Sequence, residues 1–304
     1  MKALVTGGAG FIGSHLTDAL VRAGAAVHVI DNLSTGFKYN VHPDAVLHEL
    51  DINSDAAMQI IKQVKPDVVF HMAAQVDVQH SVADPAFDSS VNIVGTIRLM
   101  MACRQAEVGK LVFSSTSAVY GDSNKERNAE DAVTAPISYY GLSKLTGENY
   151  IRLFHEMCGL RYTILRYSNV YGPRQNASGE GGVVSIFMNK LKQALPLYVN
   201  GSGNQTRDFI YVQDVVQANL AAIHQGDQET INISTGLRTS INNLIQIIKL
   251  IHGQNVEIIY GPERPGDIMD SCLDNTKASQ RLGWRPACSL FEGLSNTYQH
   301  VQMK

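Results

Sequence analysis

The strongest constraint on how this chain can fold lies at its start. An apolar run, Ala3–Thr6, leads into Gly7-Gly8-Ala9-Gly10-Phe11-Ile12-Gly13, and a segment of helical period follows with Ile12, Leu16, Ala19, Leu20 and Ala23 on one face, closed by Gly24. Val27–Asp31 is the next β-branched run, and it ends on a carboxylate. A strand that turns through glycines directly into a helix is half of a parallel crossover unit, which needs a sheet to pack on. The glycines differ in what they permit. Gly7 allows the tight turn, Gly10 lets backbone approach a pyrophosphate, and Gly13 lets the helix pack on the sheet. The helix N-terminus adds unpaired N–H donors and the positive end of a dipole. Glycine-rich turns are common, so the context decides: strand before, helix after, and Asp31 ending the second strand. A carboxylate there accepts adenosine ribose hydroxyls and repels a 2′-phosphate, favouring NAD over NADP.

The alternation continues. Val46–Leu50, Val68–Met72, Leu111–Ser115 and Tyr162–Tyr167 read as strands. Asp84-Pro85 reads as an N-cap with proline at the first helical position, opening a long helix towards Glu107, and a second long helix runs from about Ser138 to Met157. The expected fold class is α/β, a doubly wound parallel sheet of Rossmann type covered on both faces. The rhythm breaks after Asn169, where residues 172–182 (GPRQNASGEGG) read as a junction. Beyond it come a helix near Val183–Leu195, a strand near Leu197–Val199 and a mixed remainder. The expected division is therefore a dinucleotide-binding domain over 1–168 and a smaller mixed α/β capping domain over 169–304. A return of parts of 209–235 to the first domain stays open. At 304 residues, two domains agree with a prior of about 150 residues each.

Tyr140-Gly141-Leu142-Ser143-Lys144 sets a tyrosine and a lysine at i and i+4 on one helix face. Free tyrosine, with a pKa near ~10, is only ~0.1% phenolate at neutral pH. A neighbouring ammonium and a cationic nicotinamide both favour the ionised form, which would make Tyr140 a general base. An isolated pair of this spacing is usually ordinary surface, and Tyr139 next door shows that a tyrosine here can simply pack. The second piece is Ser114–Gly121 (SSTSAVYG), at the carboxyl end of a parallel strand, where such sheets bind ligands. There a Thr116 hydroxyl would reach the same oxygen as Tyr140, although serine and threonine in such runs often cap their own turn.

Other features exclude classes. The formal charge is −3 with no basic run, which argues against a nucleic-acid surface. Cys103, Cys158, Cys272 and Cys288 are scattered without ligand spacing and read as reduced thiols. No stretch approaches the ~20 apolar residues of a membrane span, and no signal-peptide pattern precedes the first strand, so a soluble cytoplasmic protein is expected. His48-Glu49 begins like a zinc motif, but no second histidine follows, and no metal is expected. His71 reads as a packed orienting residue, His15 as packed or solvated, and Trp284 as a core plug of the second domain.

Taken together, these motifs resemble the extended short-chain dehydrogenase/reductase family, and within it the UDP-glucose 4-epimerase group. The resemblance runs over nearly the whole chain: TGGAGFIGSH, DNLSTG, Asp51-Ile52, HMAAQ from His71, Asn92, SSTSAVYG, YGLSK, RYSNVYGPRQ, TRDFIYVQDV and RPGD. It implies that Gly7, Gly10, Phe11 and Ile12 hold the pyrophosphate of a tightly bound NAD. Asp31, Asn32, Ser34, Thr35 and Gly36 would surround its ribose, and Asp51 and Ile52 its adenine. Ala73, Ala74, Gln75, Asn92, Ser114, Tyr140, Lys144 and Tyr167 would line the nicotinamide half. It likewise implies that Asn169, Val183, Tyr198, Asn200, Arg207, Arg264 and Asp267 hold a nucleoside diphosphate sugar beside Thr116. Two arginines suit a diphosphate, and Asp267 suits a ribose hydroxyl. Family members commonly form homodimers through the two long helices near 85–107 and 138–157.

Within the family, 4,6-dehydratases look like Thr-Asp-Glu where this chain has Thr116-Ser117-Ala118, and UDP-xylose-forming decarboxylases look like Thr-Ser-Glu. Ala118 departs from both. Uronate epimerases often place threonine where Asn169 stands, so Asn169 leans towards a neutral hexose. Ser271, four residues past Asp267, matches a position that resembles a gate against the N-acetyl group, and serine leaves room. The expected function is C4 epimerisation of UDP-glucose/UDP-galactose, with the N-acetylated pair as further substrates. UDP-glucuronate epimerisation, another NAD-dependent sugar-nucleotide modification, and a non-catalytic sensor on the same fold are the alternatives. Tyr139 stands where many relatives look proline-like and Val76 where some look lysine-like, which loosens the detail of both halves.

Overall fold

The computed structural model describes residues 1–123, 125–176, 182–263 and 268–303. Seven strands form one sheet: β1 (Lys2–Thr6), β2 (Ala26–Asp31), β3 (Val46–Glu49), β4 (Val68–His71), β5 (Lys110–Thr116), β6 (Tyr162–Tyr167) and β7 (Glu229–Ile233). Their spatial order is β7-β6-β5-β4-β1-β2-β3, and every neighbouring pair is parallel. The chain winds outward from β1 to β3, then returns to β4 and winds the other way. The reversal leaves a crevice past the carboxyl ends of β1 and β4, where Thr6 lies between Ile30 and His71.

The helices are α1 (Phe11–Arg22), α2 (Asp55–Val64), α3 (Val78–Ala83), α4 (Pro85–Ser89), α5 (Gly95–Gln105), α6 (Tyr139–Cys158), α7 (Val183–Lys192), α8 (Val212–Ala221), α9 (Ile241–His252), α10 (Thr276–Leu282) and α11 (Leu290–Met303). The period of two in β1 sorts its residues between two cores. Ala3 and Val5 join Leu16, Leu20, Phe70 and Ile231 on one face of the sheet, and Leu4 joins Ile61, Val69, Leu99 and Ile151 on the other. A third core, with Phe187, Met188, Leu197, Val199, Leu244 and Leu294, belongs to the smaller unit. Among the described residues that unit has only short sheets: Leu197–Asn200 on Ile258–Gly261, Asn169–Tyr171 on Phe209–Tyr211, and Thr206–Arg207 on Thr239–Ser240.

Part of 209–235 lies against the large sheet. α8 packs on α1, and β7 extends the sheet beside β6, which would otherwise present a bare edge. Trp284 corrects the reading of it as a plug of the second domain. It is buried in the core shared with β1 and α1, because α10 folds back onto β7 and α8, and its Nε1–H donates to the Asp214 carbonyl at 2.9 Å. The long helix opened by Asp84 is also interrupted. Asp84 caps α4 at the Phe87 N–H, but Ser90–Val94 forms one π turn before α5 begins. π turns of this kind recur at functional sites, and Asn92 sits inside this one.

Candidate active site

The glycine loop is closed by contact rather than by composition. Gly7 has φ +70°, and a Cβ there would lie 2.6 Å from the Ala73 nitrogen. A Cβ at Gly13 would lie 2.1 Å from the Gly7 oxygen, so α1 can approach β1 only without one. Gly10 is roomier, its Cβ position meeting only the Gly7 oxygen at 3.2 Å, which fits a role facing a ligand rather than the sheet. As the N-cap of α1 it offers no side chain to the first-turn N–H groups of Phe11, Ile12 and Gly13.

Asp31 joins this loop to the end of β2. Its Oδ2 accepts the Ala9 N–H at 2.9 Å and its Oδ1 the Leu33 N–H at 2.8 Å, leaving the carboxylate buried at the crevice. Beyond it, Asn32 donates to Asp51 Oδ2 at 2.8 Å and accepts the Ser34 N–H at 3.1 Å. Ser34 and Thr35 are exposed, whereas Gly36 is buried so tightly against Ala9 that its Cβ position is 2.8 Å from the Ala9 carbonyl carbon. Ile52 is buried beside α2. The expected adenosine residues thus form one rim around Asp31.

A buried proton chain lies behind the other half. The Thr6 hydroxyl accepts the Ala73 N–H at 3.2 Å and meets His71 Nδ1 at 2.8 Å. His71 Nε2 meets Thr96 Oγ1 at 3.0 Å, and the Thr96 hydroxyl donates to the Asn92 carbonyl at 2.6 Å. Since Thr96 spends its only proton there, His71 Nε2 must carry hydrogen and Nδ1 must accept from Thr6. Burial and the nearby Lys144 pull the His71 pKa down to about 3, so the ring is neutral and orients rather than acts as a base. Asn92 then holds the Ala73–Gln75 segment: its Oδ1 accepts the Gln75 N–H at 2.9 Å, and its Nδ2 donates to the Gln75 carbonyl, Asp88 and Ser143. Periodicity points to none of Thr6, Thr96, Asp88 or Ser143, because their significance is contact across the fold.

α6 carries Tyr140 and Lys144 in its first two turns, capped by Ser138 Oγ accepting the Gly141 N–H at 3.1 Å. The Tyr140 N–H donates to Ser81 Oγ at 3.2 Å, and its carbonyl accepts the Ser143 hydroxyl at 3.0 Å. A Cβ at Gly141 would stand 2.7 Å from the Ala118 oxygen, so this turn of α6 is seated on the Thr116–Tyr120 turn that ends β5. Thr116 does cap that turn, accepting the Ala118 N–H at 3.1 Å, and keeps its own O–H for donation. Lys144 is buried, with Nζ 4.4 Å from the Phe113 ring centroid, and burial pulls its pKa down to about 8 against the opposing fields of Glu148 and Asp88. Tyr167 is buried behind the site, where burial raises its pKa, and its hydroxyl pairs with Asn219 and Ser114.

One helical turn beyond Lys144, Glu148 is fully buried. Burial alone would raise its carboxyl, but Arg166 and Ser115 hold it below the ordinary range, with Arg166 Nη2 at 2.7 Å, Nε at 2.9 Å and the Ser115 hydroxyl at 2.6 Å. Arg166 continues to Tyr120, which donates to Asn232 on β7. This network fixes α6 against the end of β5.

The described nucleotide-sugar candidates lie on short strands, a helix start and a loop past β6. In Leu197–Asn200 alternate residues enter the core, so Tyr198 and Asn200 are exposed. Val183 opens α7, half-buried, and Asn169 is exposed with its N–H on the Asp208 carbonyl at 2.9 Å. Arg207 Nη1 donates to the Thr206 carbonyl at 2.8 Å, and the same carbonyl accepts the Ser271 N–H at 3.2 Å, so Arg207 and Ser271 are neighbours. Arg264 and Asp267 lie outside the described residues. His48 stacks on His28 at 3.0 Å between nitrogens, and the described residues hold no cluster of metal-ligating side chains.

Residues 3–234 match the NAD dependent epimerase/dehydratase family. The UDP-glucose 4-epimerase of Mycolicibacterium smegmatis is 39% identical over 100% of this chain and 99% of its own length. The crystal structure of a UDP-glucose 4-epimerase with UDP-glucose from Thermotoga maritima superposes with a TM-score of 0.98 at 44% identity, covering 100% of this chain and 99% of that one. A UDP-N-acetylglucosamine 4-epimerase from Methanobrevibacter ruminantium, in complex with UDP-N-acetylmuramic acid, gives 0.94 at 35% identity, covering 98% and 97%. The chain belongs to the NAD dependent epimerase/dehydratase family.

Proposed function

We propose that this chain epimerises UDP-glucose and UDP-galactose at C4 with a tightly held NAD, and that Thr116, Tyr140 and Lys144 are its catalytic residues. The observation that carries the reading is the seating of the Tyr140–Gly141 turn on a Thr116-Ser117-Ala118 turn that contains no carboxylate. Elimination of water from a sugar needs an acid at that place, whereas epimerisation does not. Tyr140 takes the proton of the 4-hydroxyl, the Lys144 ammonium lowers the cost of its phenolate, and the Thr116 hydroxyl donates to the same oxygen. NAD, when bound, supplies a reversible hydride acceptor, so the 4-keto sugar turns over before hydride returns to its other face. The uncapped α1 N-terminus, Asp31, Asn32 and Asp51 suit that cofactor, and the buried Asp31 carboxylate disfavours a 2′-phosphate.

Ser271 supports a second substrate pair, the N-acetylated UDP-hexoses, since a small side chain beside Arg207 leaves room for the extra group. Arg207 and the RPGD arginine, Arg264, would hold the diphosphate, and Asp267 the uridine ribose. A homodimer is supported by a stripe of exposed apolar residues on α6, Leu142, Tyr150, Leu153 and Met157, with Val94 and Met101 on and beside α5. A cytoplasmic setting is supported by four unpaired cysteines, and no described helix is long and apolar enough to cross a membrane. The test is turnover of UDP-galactose and UDP-N-acetylgalactosamine without added NAD, read by proton NMR. Conversion of UDP-galactose to its C4 epimer is expected, and no conversion of either sugar refutes the proposal.

A further inference from the structure

Asp208 is fully buried, and its hydrogen bonds reach stretches of chain far apart in sequence. Its Oδ1 accepts the Thr235 N–H at 2.9 Å, the Thr235 hydroxyl at 2.6 Å and the Ser168 hydroxyl at 3.5 Å. Its Oδ2 accepts the Gly236 N–H at 3.0 Å, the Leu273 N–H at 3.4 Å and the Cys272 thiol at 3.6 Å. Its own carbonyl accepts the Asn169 N–H at 2.9 Å. One carboxylate therefore ties together four stretches of chain: Ser168–Asn169, Arg207–Asp208, Thr235–Gly236 and Cys272–Leu273.

Three of those stretches carry or adjoin a sugar-side candidate. Asn169 follows Ser168, Arg207 precedes Asp208, and Ser271 precedes Cys272. We propose that Asp208 is a positioning residue for the nucleotide-sugar half of the site, one buried anion that sets Asn169, Arg207 and Ser271 relative to one another. The proposal rests on the reading that these three face a UDP-sugar.

The chemistry suits that role. A buried carboxylate is kept in place only where donors surround it, and each donor is fixed in return. Burial, together with the Asp208 charge, pushes the Cys272 thiol up to about 12, so the thiol stays protonated and donates. Asparagine cannot substitute. An NH2 group would have to face either the Thr235 N–H or the Gly236 and Leu273 N–H groups, and a backbone donor on that side would lose its acceptor. The shift that follows would reach Arg207 and Ser271 directly, whereas the NAD-facing residues on β1, β2 and α6 are tied by other bonds.

The experiment compares the parent chain, Asp208→Asn and the milder Thr235→Val, which removes the 2.6 Å hydroxyl bond to Asp208 and the 3.3 Å bond that hydroxyl accepts from the Leu237 N–H, keeps the Thr235 N–H on Asp208, and serves if the first variant fails to fold. UDP affinity is measured by calorimetry, KM and kcat with UDP-galactose, and retained NAD by absorbance after denaturation. Misplacement on the ångström scale is expected to weaken UDP binding and raise KM by about tenfold or more in Asp208→Asn. Thr235→Val should move both in the same direction by less, and retained NAD should stay at the parental level in both. Folded variants with parental UDP affinity and KM, or a loss of NAD equal to the loss of UDP affinity, overturn the proposal. A parent that binds UDP but turns over no UDP-sugar refutes the proposed reaction alone, and the UDP affinities still decide the role of Asp208. A parent that binds no UDP overturns both.

Discussion

Lys144 should make the protein less stable, and replacing it by methionine should make the protein melt higher while abolishing activity. Its pKa falls from an ordinary 10.5 to about 8, with burial as the largest cause. At about 1.36 kcal/mol for each pH unit, that fall corresponds to about 3 kcal/mol spent on keeping a buried ammonium charged. Methionine of similar reach avoids this cost but loses the cation's attraction to the Phe113 ring, about 1 kcal/mol. The expected net gain is about 2 kcal/mol, or roughly 4 °C in melting temperature for a chain of this size. The sign with pH follows from linkage. A lysine whose folded pKa is depressed destabilises fully below the folded pKa, and the cost fades as pH rises from about 8 towards 10.5. The assay is thermal unfolding of parent and Lys144→Met, both stripped of NAD, at pH 7 and at pH 10. The variant should melt higher at pH 7, and the gap should narrow at pH 10. A variant that melts at or below the parent at pH 7, or a gap that does not change with pH, refutes the reasoning. In that case the fields of Glu148 and Asp88 would have to compensate the burial fully.

Gly13→Ala would drive a methyl to within 2.1 Å of the Gly7 oxygen, so α1 must move off the sheet; purified variant should retain less than half the parental NAD by absorbance, and full retention would contradict the loop geometry. Ser271→Tyr should abolish turnover of UDP-N-acetylgalactosamine while sparing UDP-galactose, and NMR showing equal loss of both would reject the gate. Leu153→Glu with Met157→Glu puts two charges on the exposed stripe of α6; light scattering should find a dimeric parent and a monomeric variant, and a variant of dimer mass would move the interface elsewhere. Glu148→Gln should shift the alkaline limb of the kcat/KM profile to lower pH, because Lys144 loses the stronger of the two anionic fields that hold its proton; an unchanged limb would show that Asp88 alone suffices.

Much of the first half of the fold was legible because its signals are local. The turn Gly7–Gly13 sits between two apolar runs, and Asp84-Pro85 and Ser138 are caps with nearest-neighbour partners. What escaped the sequence depends on distant segments. β7 looks no different from a strand of the smaller unit, since Ile231 and Ile233 alternate in the same way wherever they pair. Only the bare edge of β6 gives it a place. Trp284 is the same case: an indole needs a cavity and an acceptor for its N–H, and Asp214 supplies the acceptor from 70 residues away.

The candidate site divides along the same line. Gly7, Asp31, Tyr140 and Lys144 are recognisable because each stands in a short motif whose spacing is visible in the sequence. Glu148 and Asp208 are not, because a lone acidic residue on a helix or strand reads as solvated surface. Here both are fully buried, and the structure gives the reason. Glu148 binds Ser115 and Arg166 and so fixes α6 to the end of β5, beneath Tyr140 and Lys144. Asp208 binds donors on three other stretches of chain and so joins the segments that carry Asn169, Arg207 and Ser271. Each anion has a cost that hydrophobic packing would avoid. What packing cannot provide is a fixed geometry between separate segments, because apolar contacts tolerate sliding and hydrogen bonds to a carboxylate do not. A reaction that must hold a nucleotide firmly and release a sugar to turn over places that demand on both halves of its site. Two buried carboxylates, one under each half, are a physical answer to it.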